Sequence, residues 1–238
     1  MSTHAAGPQA PPHTGLTLHV TSQWAWLGIG LVLAFAVPFL LADVLEVDRD
    51  LFYGLYALAV AGLFWLWSRS TGYDLVGAMR RRWLGAVVLG LASAGILTVM
   101  VLRTEHATAR PAGVDLVGAV LWRGIVYGAT DGFLLSVFPI LVVFAAFTGT
   151  RLNRRFPGKV VIGIVALAAS LAMTAVYHAG YSDFRSSKVR KPLTGDVVWS
   201  APTLVTLNPI GSPIAHVGLH VSAVLHSYET NTFLPPHK

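Results

Sequence analysis

Long apolar runs alternate with short charged loops along most of this chain. Residues 24–41, 51–67, 83–102 and 160–177 each read as a helix long enough to cross a hydrocarbon core of roughly 30 Å. Trp24 and Trp26 mark an interface at the start of the first run, and Pro38 is a tolerated kink within it. Residues 113–147 form one nearly continuous apolar stretch, interrupted by Asp115, Arg123 and the Gly128-Ala129-Thr130-Asp131-Gly132 break. That stretch fits one bent helix, a half-helix followed by a span, or two tight spans. Residues 196–207 are too short to cross alone before Asn208-Pro209, and read as a re-entrant or broken segment. A last apolar helix is expected from about Ser212, with Pro213 in its first turn. The pattern therefore predicts an all-α, polytopic integral membrane helical bundle of about six to eight transmembrane helices or half-helices. Residues 1–23 read as a flexible polar tail, 24–227 as the membrane-embedded domain and 228–238 as a C-terminal tail.

Composition supports this class. Of the 238 residues 54% are hydrophobic and 12% charged, against about 25% charged in ordinary soluble domains. The net charge of +6 comes from short basic clusters between apolar runs, the arrangement expected beside anionic lipid rather than nucleic acid. Aromatic and basic residues are not interleaved as in single-strand binders. The cluster Arg80-Arg81-Arg82 places its loop, and with it the N-terminus, on the cytoplasmic side of the cell membrane, with the acidic loop at 43–50 outside. Basic clusters on both sides of the 160–177 run leave the C-terminal half without an assigned orientation. No Lys or Arg precedes the first run, so a cleaved signal peptide is not expected.

With no cysteine, a transition-metal site would have to use imidazole, carboxylate, carbonyl or water. His216 and His220 lie four apart in the last apolar helix, so both imidazoles leave one face and can converge on one ion. Ionisable groups at membrane depth mark a functional site by default; the alternative is that these histidines only hydrogen-bond neighbouring helices. His178, near the end of the 160–177 run, would complete a set of three nitrogens, with Asp131 or Asp115 as fourth ligand or base. His226 stands about 80° off the His216 face and is expected at the surface. Arg123, Tyr127 and Asp131 follow at four-residue steps. Arg123 would either pair with Asp115 or Asp131 to hold helices together, or position a carboxylate or substrate carbonyl.

The residues Leu121-Trp122-Arg123-Gly124, Tyr177-His178 and Gly211-Ser212-Pro213-Ile214-Ala215-His216 resemble the CAAX-processing and bacteriocin-processing (CPBP) family of intramembrane proteases. The three stretches match, in order and rough separation, the family's Glu-Glu-x-x-x-Arg, Phe-x-x-x-His and His-x-x-x-Asn motifs across residues 113–227. The paired glutamates would fall at Gly118 and Ala119, the Phe at Thr174 and the Asn at His220. The resemblance implies a metal-dependent intramembrane hydrolase acting on a membrane-bound peptide. His178, His216 and His220 would hold a divalent transition metal such as zinc, Asp131 or Asp115 would be the base, and Arg123 the electrostatic stabiliser. Two readings stand beside it: a non-catalytic membrane metal or haem carrier, since histidines on facing helices also serve as axial haem ligands, and a structural or partner-binding membrane subunit.

Overall fold

A computed structural model describes residues 14–230 and 232–235, with side chains from residue 22 onward. The outer parts of both expected tails, 1–13 and 236–238, lie outside the described residues. The bundle is all-α: α1 (Thr14–Val37, continued by a π-helical turn, Pro38–Val44), α2 (Arg49–Thr71), α3 (Leu75–Arg80), α4 (Trp83–Thr104), α5 (Gly113–Ala146), α6 (Phe156–Ala179), α7 (Arg190–Thr206) and α8 (Gly211–His226). α1 from Ser22, α2, α4, α5 and α6 are long and apolar enough to span a membrane. The first helix starts at Thr14, so residues 14–23, expected as part of the flexible polar tail, are helical.

α5 is the axis of the bundle. Its apolar window is 83% buried, against 22–39% in the other four candidate spans. The alternatives for 113–147 resolve into one long helix that widens into π-helical turns at Val120–Val126 and Val137's stretch, Gly132–Val137. Such wide turns are frequent at functional sites. The second ends at Val137, just before the last segment of α5, whose second residue Pro139 has no N–H to give to the ladder. The glycines of the expected break do not end the helix. Gly124, Gly128 and Gly132 form a stripe laid against α8. A Cβ at Gly132 would stand 2.5 Å from Pro213 Cα, and one at Gly128 3.0 Å from Val217 Cα. Small residues at four-residue spacing let two helices touch backbone to backbone, and that approach brings Asp131 to the histidine face of α8.

α7 is a continuous 17-residue helix and not a broken segment. Leu207 ends it in the left-handed conformation (φ 54°). The turn into α8 is pinned by the fully buried Asn208, whose Nδ2 donates to the carbonyls of Ala78 (3.1 Å), Met79 (2.8 Å) and Arg81. α7 is also tied to α6 inside the bundle. The buried Asp196 carboxylate accepts from Ser170 (2.9 Å), Thr174 (3.1 Å) and Ser200, and Ser200 reaches Ser136 of α5 (2.8 Å).

Candidate metal centre

Asp131 projects from α5 at the end of the segment between the two wide turns, and His216 and His220 project from α8. One potential ligand atom from each lies within 4.8 Å of the others, and all three side chains are buried. His220 Nε2 stands 3.3 Å from Asp131 Oδ2. The other ring nitrogen of His220, Nδ1, is 2.7 Å from the carbonyl of Phe233. A carbonyl only accepts, so Nδ1 carries the proton, and in the neutral ring Nε2 turns a lone pair towards the carboxylate. With the ring neutral, two lone pairs face each other across that gap.

His216 has no hydrogen-bond partner at either ring nitrogen, and Asp131 Oδ1 has none either. Buried polar atoms in folded proteins are almost always paired. Three orphaned atoms beside the His220–Asp131 contact form a donor set of two imidazoles and a carboxylate, the kind that divalent transition metals such as zinc take. A proton on His220 Nε2 would satisfy its contact with Asp131 but leave His216 unpaired. The residues present therefore fit a metal ion.

His178, near the C-terminus of α6, lines the same cavity but stands outside the tight group of three. Its Nδ1 donates to the carbonyl of Thr174 (2.7 Å), which leaves Nε2 free as an acceptor. Trp199 of α7 lies against His216, ring centroids 4.5 Å apart, and Lys191 lies at the cavity's edge. The free space in the cavity is about 30 Å³, room for an ion and a water or two. The His216 and His220 rings leave one helix nearly parallel (17°).

Of the residues picked out in the sequence, Asp131, His178, His216 and His220 meet at this cavity, while Arg123 and Asp115 do not line it. Arg123 grips Asp50 with both fork nitrogens (2.8 Å each) and donates to the Tyr228 hydroxyl (2.6 Å). It pairs with neither Asp115 nor Asp131. Asp115 is exposed in the first turn of α5, where a carboxylate complements the helix dipole. Arg123 stands eight residues, about 12 Å along the helix, before Asp131, and so reaches Asp50 and Tyr228 at the bundle end rather than the cavity. His226 sits half-buried at the end of α8, with Nε2 3.1 Å from the Glu105 carbonyl.

Sequence reasoning missed two parts of the site. The segment after α8 folds back over it: Phe233 and Leu234 are buried, and Thr232 and Pro235 line the cavity. A chain of tyrosine hydroxyls also leads to it. Tyr181 donates to Tyr177 (2.8 Å), Tyr177 pairs with Tyr127 (2.9 Å), and the Tyr127 ring meets His220 edge-on at 4.8 Å. The tyrosines at 177 and 181, flanking His178 in an otherwise apolar helix end, were the available signal.

Comparison of the chain with family models, curated proteins and solved structures returned no match.

Proposed function

We propose that this protein is a membrane-embedded, metal-dependent hydrolase in the manner of the CPBP proteases, with Asp131, His216 and His220 as the ligands of a divalent transition metal. The observation that carries the reading is the orphaned donor set: both nitrogens of His216 and Oδ1 of Asp131 lack partners, and His220 aims Nε2 at Asp131. When bound, such an ion supplies Lewis acidity that polarises a carbonyl and brings the pKa of a water towards neutrality. The chain's own groups do the rest. The Phe233 carbonyl fixes the His220 tautomer and ring orientation. His178, held by the Thr174 carbonyl, presents Nε2 to the cavity as the proton acceptor. The C-terminal segment covers the cavity and keeps bulk water out, so a membrane-bound peptide has to displace it to enter. In this reading Asp131 takes the place of the family's missing glutamates as a ligand, and Arg123 braces the fold.

The orientation follows from charge. Arg80, Arg81, Arg82, Arg151, Arg154, Arg155 and Lys159 gather at one end of the bundle, since the loops that carry them border one cleft. The opposite end mixes Asp43, Asp50, Glu105 and Asp183 with its basic residues. We assign the basic end, together with the start of α1, to the cytoplasm. Single-cysteine variants in this cysteine-free chain, labelled from either side, would reverse that assignment if Arg154→Cys reacted from outside.

The deciding experiment is elemental analysis of untagged protein purified in detergent. The wild type should carry close to one equivalent of a transition metal, and the His216→Ala, His220→Ala variant none. A metal-free wild type that is folded and able to bind no added zinc would overturn the metalloenzyme reading. With metal established, cleavage of a membrane-anchored peptide in proteoliposomes tests hydrolysis separately.

A further inference from the structure

At the end of the bundle away from the metal centre, a cleft of about 360 Å³ opens between the α3–α4 loop, the last turns of α5 and the end of α7. One wall is apolar, made by Leu141, Phe144 and Leu207; Arg81, Arg82 and Asn153 supply the polar side. We propose that this cleft binds the phosphate headgroup of an anionic phospholipid, with the apolar wall taking the upper part of an acyl chain.

Three observations support this occupant. Arg81 is scarcely engaged within the protein. Its nearest carboxylate, Asp74, is 4.0 Å away, and both side chains are about two-thirds exposed (66% and 67%). An ion pair of that kind contributes little, so turning the guanidinium towards a ligand costs little. No hydrogen bond or ion pair engages the Arg82 side chain among the described residues. Two guanidinium groups lining one cleft match the oxygens of a phosphate better than ammonium groups would.

The second observation is the mixed lining. Inorganic phosphate would gain nothing from Leu141, Phe144 and Leu207, whereas a lipid presents charge and hydrocarbon together. The third is position. The cleft lies at the basic end of apolar helices, where basic pockets between helices meet anionic headgroups. Nothing in this proposal depends on the metal centre.

The test measures lipid binding to the detergent-purified full chain, by native mass spectrometry and by the shift in melting temperature. Phosphatidylglycerol should bind and raise the melting temperature; phosphatidylcholine should not. The Arg81→Gln, Arg82→Gln variant should bind phosphatidylglycerol about tenfold more weakly. Arg154→Gln, Arg155→Gln removes the same charge from the same end but outside the cleft, and should bind like wild type. Equal losses in the two double variants would mean diffuse attraction and overturn the proposal. A melting shift reproduced by inorganic phosphate alone would overturn the lipid in favour of a free anion. Should the cleft double variant fold poorly, Arg81→Gln alone, at a mostly exposed side chain, still decides: unchanged affinity there overturns the proposal.

Discussion

His220 Nε2 and Asp131 Oδ2 face each other at 3.3 Å in a buried site, and the Phe233 carbonyl holds a proton on Nδ1 at the far side of the ring. Either a second proton on the ring or a metal ion would satisfy the pair, and the proposed metal is the one that also engages His216. Conservative loss of one ligand should show this. Asp131→Asn keeps the shape and removes the charge, and should lower metal affinity by at least ~10-fold, read by competition with a chromophoric chelator. His178→Ala should keep the metal and lose peptide cleavage, a split that separates ligand from proton acceptor.

The C-terminal segment closes over the cavity with buried Phe233 and Leu234 and gives His220 its acceptor. Removing residues 229–238 deletes the acceptor for His220 Nδ1 and opens the cavity. Metal affinity is expected to fall ~10–100-fold, the usual effect of losing an outer hydrogen bond to a ligand histidine. Circular dichroism should report unchanged helix, since α8 ends at His226.

The glycine stripe on α5 sets the distance between Asp131 and α8. Gly132→Ala would force a Cβ to within 2.5 Å of the Pro213 backbone, which cannot swing aside. The expected loss is about 1–3 kcal/mol in unfolding experiments, with weakened metal binding. Gly118→Ala, where a Cβ meets nothing within 4 Å, is the matched control and should be neutral or better.

Asp196 holds α6 to α7 through hydroxyls alone. Asp196→Ala leaves Ser170, Thr174 and Ser200 without their shared acceptor and should cost about 1–3 kcal/mol. Asp196→Asn keeps one acceptor oxygen and should cost less. Denaturant titration in mixed micelles ranks the two, and the reverse order would contradict this account.

Arg123 provides the contrast with the cavity residues. Its bidentate contact with Asp50 joins α5 to α2, and its contact with Tyr228 joins α5 to the C-terminal segment. Arg123→Gln should lower the melting temperature and leave metal stoichiometry at the wild-type value, whereas a role as electrostatic stabiliser at the cavity would require it to line that space.

The sequence by itself determined the helical bundle and the common face of His216 and His220. Apolar runs of membrane-spanning length fixed the helices at α2, α4 and α6 to within a few residues, because the lipid-facing pattern needs no partner to be read. The four-residue spacing of His216 and His220 fixed their common face, because both sit on one helix. What joins that face was not legible. Asp131 and Arg123 stood on one expected stripe, and only the positions of α8 and α2 decide that one meets the cavity and the other Asp50. The Phe233 carbonyl is a backbone atom, as is the Thr174 carbonyl behind His178, and every residue carries one. Their roles arise from how the chain folds back and how α5 meets α8 along Gly124, Gly128 and Gly132. Contacts between distant segments are set by tertiary packing, and a local pattern records neither the partner nor the angle at which it arrives.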